Sequence, residues 1–398
     1  MRLLLISEYF PDSATGTITG GVEARAWFLS RLLAQHHDVT VITSWRHHQP
    51  RFQPIDGVKV YRPGQHHEYA NEGKAGSRFR FALAAYRLGC RLGPFDIVDG
   101  CTWVAYPPAF FVARKVGARA VASYNEVWCG LWIENKGWIV GVLGEIWERL
   151  SLRLPWDHFI AISRFTAKRL TAHRVSAASI TVIPCGVDTK EIDDVKAAPR
   201  RPGAICMVAR LVRGKQPQLL IEAMAMVARS HPGLFKDMRI TVCGHGPLLE
   251  SCQLLATELG IASSVRFTGW LAAHGDVLRL MKESSLLVHP STVEGFGIVF
   301  IEACACGTPV LAADIPVVRE VNALVGGGRT FQSGSAVDLA RRIVEHFSDR
   351  PIPVGRADHL DWAIICSQLE ETYRRISRQG GSAHRPESPS QNRQPASL

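Results

Sequence analysis

The chain has 398 residues, 46% of them hydrophobic, with 34 glycines, enough to bury two cores rather than one. A net charge of +10 favours anionic partners such as nucleotide phosphates, anionic lipid or nucleic acid, without choosing among them. No uninterrupted run of about 18 apolar residues occurs, and only five apolar residues precede Glu8, so neither a membrane span nor a signal-peptide core is expected.

The first half alternates short apolar runs with helical segments. "RLLLIS" opens the chain, followed by "DVTVIT" from Asp38, "VKVY" from Val58, "FDIVD" from Phe95, "ARAVAS" from Ala118, "HFIAIS" from His158 and "ITVIP" from Ile180. Strands alternating with helices predict a parallel, doubly wound sheet. After the charged "KAAPRRPG" from Lys196 the pattern restarts with "AICMVA", "MRITVCG", "SVRFTG", "SLLVHP" and "TPVLAA". Two α/β domains in series are therefore expected, over residues 1–190 and 200–358. The amphipathic "HLDWAIICSQLEETYRRI" from His359 predicts a closing helix over residues 359–378. Residues 379–398 have almost nothing to bury and read as a disordered tail.

Ten cysteines lie scattered, several inside strand-like runs and none in CxxC spacing, which fits a reducing cytoplasm and no zinc site. The histidine pairs at 36/37, 47/48 and 66/67 have poor ligand geometry, because adjacent side chains do not share a face.

Three stretches carry candidate chemistry. Gly20 and Gly21 precede a helix after the first strand, where free amides can meet a phosphate; the same pair also fits a plain flexible loop. Arg210 and Lys215 flank a glycine at the carboxyl end of a strand, the edge where open α/β sheets bind ligands, or else form a solvated basic loop. In "STVEGFGIVFIEACACGTPVL", Glu294 and Glu302 bracket a Gly-Phe-Gly turn that runs into an apolar helix. Glu302 falls about 7 Å along that helix from Gly297, a separation suited to amides on a phosphate or sugar and a carboxylate on a ribose diol.

"EGFGIVFIEACACGTPVLA", with its two glutamates eight apart, resembles the acid motif of the retaining family 4 glycosyltransferases of the GT-B fold. "GGVE", "FIAISRFTAKRL", "VIPCGVD", "MVARLVRGK" and "VCGHGP" match that family's other stations in order, over roughly residues 2–376. The resemblance implies two Rossmann-like domains facing a central cleft, with the closing helix packed back on the first. It implies a nucleotide-sugar donor with UDP or GDP, no metal or other cofactor, and Arg210 and Lys215 on the diphosphate. Gly20 and Gly21 would complete that cradle, with Gly244, Ile298 and Val299 also lining the donor site. Glu302 would hold the ribose, and Glu294 with the Phe296 and Gly297 amides would hold the transferred sugar. One position departs from the family: Asn125 stands where a histidine is usual, and an amide can donate a hydrogen bond but cannot titrate.

The acceptor is expected to be a glycan or a lipid-linked group, with the enzyme cytoplasmic, at the inner face of the membrane. Basic and aromatic residues interleave in "KAGSRFRFALAAYRLGCRLG" from Lys74, and "GWIVGVLGEIWERLSLRLPW" from Gly137 is strongly apolar. Either stretch fits peripheral membrane contact, although packing on the sheet is the preferred reading of the second. Nucleic acid is not expected, because the basic residues form no aromatic-lined groove. A non-hydrolysing sugar-nucleotide epimerase and a catalytically idle nucleotide-sugar-binding protein are the competing readings.

Overall fold

The computed structural model describes residues 1–13, 18, 20–46, 49–66 and 75–379. The predicted tail from residue 380 and the His47/His48 pair therefore lie outside the described residues, as does His67.

The first domain runs β1 (Arg2–Ile6), α1 (Gly21–Leu33), β2 (Asp38–Ile42), β3 (Phe52–Ile55), β4 (Val58–Tyr61), α2 (Ala75–Leu92) and β5 (Ile97–Gly100). It continues through α3 (Tyr106–Val116), β6 (Arg119–Tyr124), α4 (Trp132–Lys136), α5 (Trp138–Leu152), β7 (His158–Ala161), α6 (Arg164–Ala172), β8 (Ile180–Val182) and the short α7 (Thr189–Asp194). The second comprises β9 (Ala204–Val208), α8 (Pro217–Ser230), α9 (Pro232–Phe235), β10 (Arg239–Cys243), α10 (Leu249–Glu258), β11 (Val265–Gly269), α11 (His274–Glu283) and β12 (Leu286–His289). Its remaining elements are α12 (Ile298–Ala305), β13 (Val310–Ala313), α13 (Pro316–Val325), β14 (Arg329–Phe331) and α14 (Ala336–Ser348), before the closing α15 (Trp362–Arg378).

The first sheet has the order β3-β4-β2-β1-β5-β6-β7-β8 and the second β11-β10-β9-β12-β13-β14. All pairings are parallel except β3 with β4. Helices cover both faces, which is why central strands such as "LLLI" in β1 are buried apolar runs rather than alternating ones.

Three features depart from the sequence reading. β3 is an antiparallel edge strand closed by Asp56 and Gly57, both at positive φ, an Asp-Gly hairpin turn. Pro54 obscures it in the sequence, and an edge is where a strand tolerates proline. β14, of three residues, also went unpredicted. The closing helix begins at Trp362 rather than His359, because Asp361 caps it by accepting from the Ala363 amide 2.8 Å away.

α15 lies on the first domain. Trp362 stacks on Phe28 of α1 with ring centres 5.3 Å apart, and the Tyr373 hydroxyl donates to the buried Asp99 carboxylate at 2.5 Å. α5 corrects the preferred reading of its stretch: it packs its glycine face on α4 and leaves most of its large apolar side chains exposed. All ten cysteines are free thiols, nine of them buried.

Candidate active site between the two sheets

In each sheet the strand order reverses beside the first strand of its domain, between β1 and β5 and between β9 and β12. Ligands of open α/β folds bind beyond the carboxyl ends of strands at such reversals. β12 ends at His289, and α12 starts at Ile298 after Gly297 turns the chain at φ 92°. No side chain caps Gly297 at the head of α12; of the first-turn amides, that of Phe300 donates to the Gly297 carbonyl at 3.0 Å.

Glu294 does not cap those amides. Its carboxylate forms a salt bridge with Lys215 and lies 2.8 Å from His289 Nε2, the latter a charge contact without good hydrogen-bond alignment. Burial favours the neutral acid, but Lys215 and His289 outweigh it and hold the Glu294 carboxyl far below the usual carboxylate range. Lys215 sits in the turn that opens α8, and Thr292 N donates to Gly214 O at 2.9 Å, locking that turn to the Glu294 loop.

Glu302 points from the second turn of α12 to His274, its Oε1 3.1 Å from Nε2. The other ring nitrogen lies 3.0 Å from Glu191 of α7. Burial works against charge on His274, yet the bonds to Glu191 and Glu302 prevail and push its pKa up to about 10. The imidazolium thus bridges the connection between the domains to the carboxylate predicted for the ribose.

The domains meet closely around this centre. A Cβ built on Gly295 would fall 2.3 Å from the Asn125 carbonyl oxygen, and one on Gly21 would fall 3.1 Å from Ile298 Cδ1. Only glycine lets the Glu294 loop approach the end of β6. At the head of α6, the Arg164 and Phe165 amides donate to Glu320 of α13 at 2.6 and 3.0 Å, a carboxylate of one domain on the helix start of the other.

Asn125 stands at this seam, and its side-chain amide donates to the Cys101 carbonyl at 2.8 Å. Beside it, Glu126 accepts from the Trp128 indole at 2.9 Å. Burial raises the Glu126 pKa to about 7 against the Trp128 bond, with the Glu294 charge adding to the rise and Lys215 opposing it. A protonatable acid therefore neighbours the place where the sequence lacks the usual histidine.

Arg210 lies half-buried in the loop after β9. Gly244 shapes that loop: a Cβ there would fall 1.9 Å from the Ala209 carbonyl oxygen, and the Gly244 amide already donates to Gly269 O at 2.9 Å. The Phe296 side chain is core. Gly20 caps α1 in an extended conformation with no side-chain cap, its neighbour Gly21 facing Ile298, and Val299 follows in the first turn of α12. The structure thus gathers Gly21, Lys215, Asn125, Glu294 and Ile298 around one seam. His274, His289, Glu126 and Glu320 escaped the sequence reading. Of these, only His289 left a local trace, a lone histidine ending an apolar strand. Among the described residues, no cluster of three or more His, Cys, Asp or Glu side chains suits a metal ion.

Residues 19–191 match the Glycosyltransferase Family 4 model and residues 188–357 the Glycosyl transferases group 1 model. The chain is 26% identical over 405 residues to a glycogen synthase of Mycobacterium tuberculosis, covering 94% of each. It is 33% identical over 250 residues to a GDP-mannose-dependent alpha-(1-6)-phosphatidylinositol monomannoside mannosyltransferase of Mycolicibacterium smegmatis, covering 57% of this chain and 61% of that one. Its fold superposes on Anabaena HepE, solved in complex with UDP and glucose, with a TM-score of 0.70 at 18% identity over 94% of this chain and 100% of that one. The two domains and their facing edges define a GT-B glycosyltransferase. The chain belongs to glycosyltransferase family 4 and is a hexosyltransferase.

Proposed function

We propose that this enzyme moves a hexose, with retention of anomeric configuration, from a UDP- or GDP-sugar to a glycan or lipid-linked acceptor, without a metal. The observation that carries the reading is Glu294, held ionised between Lys215 and His289 beside the uncapped head of α12. Both donor classes have support: HepE was solved with UDP, and the mannosyltransferase is named for GDP-mannose. Arg210 and Lys215 neutralise the diphosphate, the Gly20 and Gly21 amides face it from α1, and Glu302, oriented by His274, accepts from the ribose diol. Glu294 and the Phe296 and Gly297 amides hold the sugar hydroxyls, with Ile298 and Val299 beneath them.

In the front-face step the bond from the anomeric carbon to the phosphate oxygen breaks. The acceptor oxygen bonds to that carbon on the same face, and its proton passes to the departing phosphate oxygen. The protein contributes charge at the leaving group and positioning. Asn125 and Glu126 border the acceptor side, where Glu126 titrates near neutrality. We place this reaction in the cytoplasm, at the inner face of a membrane.

A thermal-shift screen of UDP- and GDP-sugars, then assay of nucleotide release with the best donor, tests the reading. Donor at 100 times its Kd should stabilise the protein by about 2.7 kcal/mol. If no nucleotide sugar raises the melting temperature, the donor assignment fails. Asn125, with its amide given to Cys101, also admits an idle binder, which would be stabilised yet never release nucleotide. An epimerase would convert UDP-GlcNAc without any acceptor.

A further inference from the structure

α5 is turned inside out. The side it buries carries Gly141, Gly144, Glu148 and Ser151, and a Cβ on Gly144 would fall 2.4 Å from the Trp132 ring. Glu148 is held there by the Trp132 indole at 2.6 Å and the Trp128 amide at 3.1 Å. The opposite side carries Ile139, Leu143, Ile146 and Leu150, which at 100° per residue fall within an arc of about 60°. Ile139 and the adjacent Trp138 are three-quarters exposed, and the other three more than half. A helix that buries its small and acidic residues and turns a row of Ile and Leu to solvent lacks a partner for that row.

α2 adjoins this face. Phe79 of α2 meets Trp147 of α5 edge-on at 4.7 Å, and Phe79 and Leu83 are both at least half exposed. α2 has four arginines and no acidic residue, and Arg80, Arg87 and Arg91 are exposed. An apolar helix face with a tryptophan at its end, beside a purely cationic helix, matches the chemistry of an anionic bilayer surface.

The patch continues into the cleft. Arg78 of α2 donates to Glu8, just beyond β1, at 2.8 Å, and the Glu126–Trp128 bond ties the loop before α4 to the end of β6. We propose that α5 lies in the headgroup layer of an anionic membrane, with the α2 arginines on lipid phosphates, so that a lipid-linked acceptor in the same leaflet meets the cleft at Glu126. This rests on the transferase reading for the acceptor, but the docking surface itself does not.

Cosedimentation with vesicles of phosphatidylcholine, with and without phosphatidylglycerol, tests the surface at low and high salt. The protein should bind the anionic vesicles, more weakly at high salt. The triple variant Ile139→Ser, Leu143→Ser, Ile146→Ser should bind at least about tenfold more weakly. So should Arg87→Glu/Arg91→Glu, which leaves the apolar face intact. Both variants should keep the parent's melting temperature and its stabilisation by nucleotide sugar, so a failed donor screen and a failed docking surface are told apart. Absence of binding to anionic vesicles at low salt would overturn the proposal, as would binding that neither variant weakens. A dimer in solution that the triple variant dissociates would also overturn it, assigning the face to a second copy of the chain.

Discussion

Replacing Lys215 with alanine strips Glu294 of its principal counter-charge. The Glu294 side chain is only 9% exposed and His289 only 4%, so water cannot stand in for the lost ammonium. Removing one partner of a buried ion pair costs about 3–5 kcal/mol, and the 19% exposure of Lys215 favours the lower end, about 3 kcal/mol. For a domain of about 150–250 residues that lowers the melting temperature by about 6–12 °C, read by calorimetry on the second domain's transition. Glu294→Gln should cost less, because Lys215 can swing into the cleft and hydrate. The double variant should fall short of the sum of the two by about 1–3 kcal/mol, since the second change removes a charge the first left stranded. In turnover, Lys215→Ala should lose about 100-fold in kcat/KM, near 3 kcal/mol of leaving-group stabilisation. Additivity of the two stability changes to within about 0.5 kcal/mol would refute the coupling. Undiminished turnover in Lys215→Ala would refute its role at the diphosphate.

The two glutamates of the motif should fail differently: Glu302→Ala should weaken binding of free nucleotide diphosphate about tenfold or more, whereas Glu294→Ala should leave it nearly unchanged and impair transfer. Calorimetric titration beside steady-state rates separates them, and equal losses in both variants would undo the division of labour. Gly295→Ala places a methyl 2.3 Å from the Asn125 carbonyl, so it should hold the domains apart, cut turnover well over tenfold and enlarge the radius of gyration in solution scattering. An unchanged radius with full activity would contradict it. Glu126 binds its proton more tightly in the folded chain, about 7 against 4.5 unfolded, so its share of stability declines as pH rises through that window. Glu126→Gln should therefore gain on the parent protein by at most about 3 kcal/mol between about pH 5 and pH 8, and superimposable pH profiles would exclude the shift.

What the sequence made legible follows from how far apart the cooperating residues lie. Glu294, Gly297 and Glu302 share one loop and one helix, and Lys215 sits just beyond a strand end, so local pattern was enough to pick them out. His274 is 28 positions from Glu302, and Glu191 another 83 from His274; only the folded chain brings the three together. Glu320 reaches the head of α6 across 155 or more positions, which no periodicity encodes. The fold was read strand by strand because parallel strands buried on both faces are unbroken apolar runs. β3 hid behind Pro54 and β14 behind its brevity. α5 misled for a physical reason: apolar content does not say which side a helix buries, and here Gly141 and Gly144 let the small-residue face pack closest.

The Glu191–His274–Glu302 chain ties the connection between the domains to the carboxylate proposed to hold the donor ribose. His274 occupies Oε1 of Glu302, so in the proposed role the second carboxylate oxygen is left for a ribose diol and the donor need not break the bridge. Because the imidazole holds its proton up to about pH 10, the bridge persists across the neutral range instead of switching within it. Glu191 belongs to α7, immediately before the chain passes into the second domain, and Val187 just upstream pairs with Leu360 and Trp362 at the head of α15. Both crossings between the domains therefore meet beside the residue that orients Glu302. On the proposed roles, the close contact at Gly295 and the carboxylate assigned to the ribose are thus joined by covalent connectivity as well as by contact.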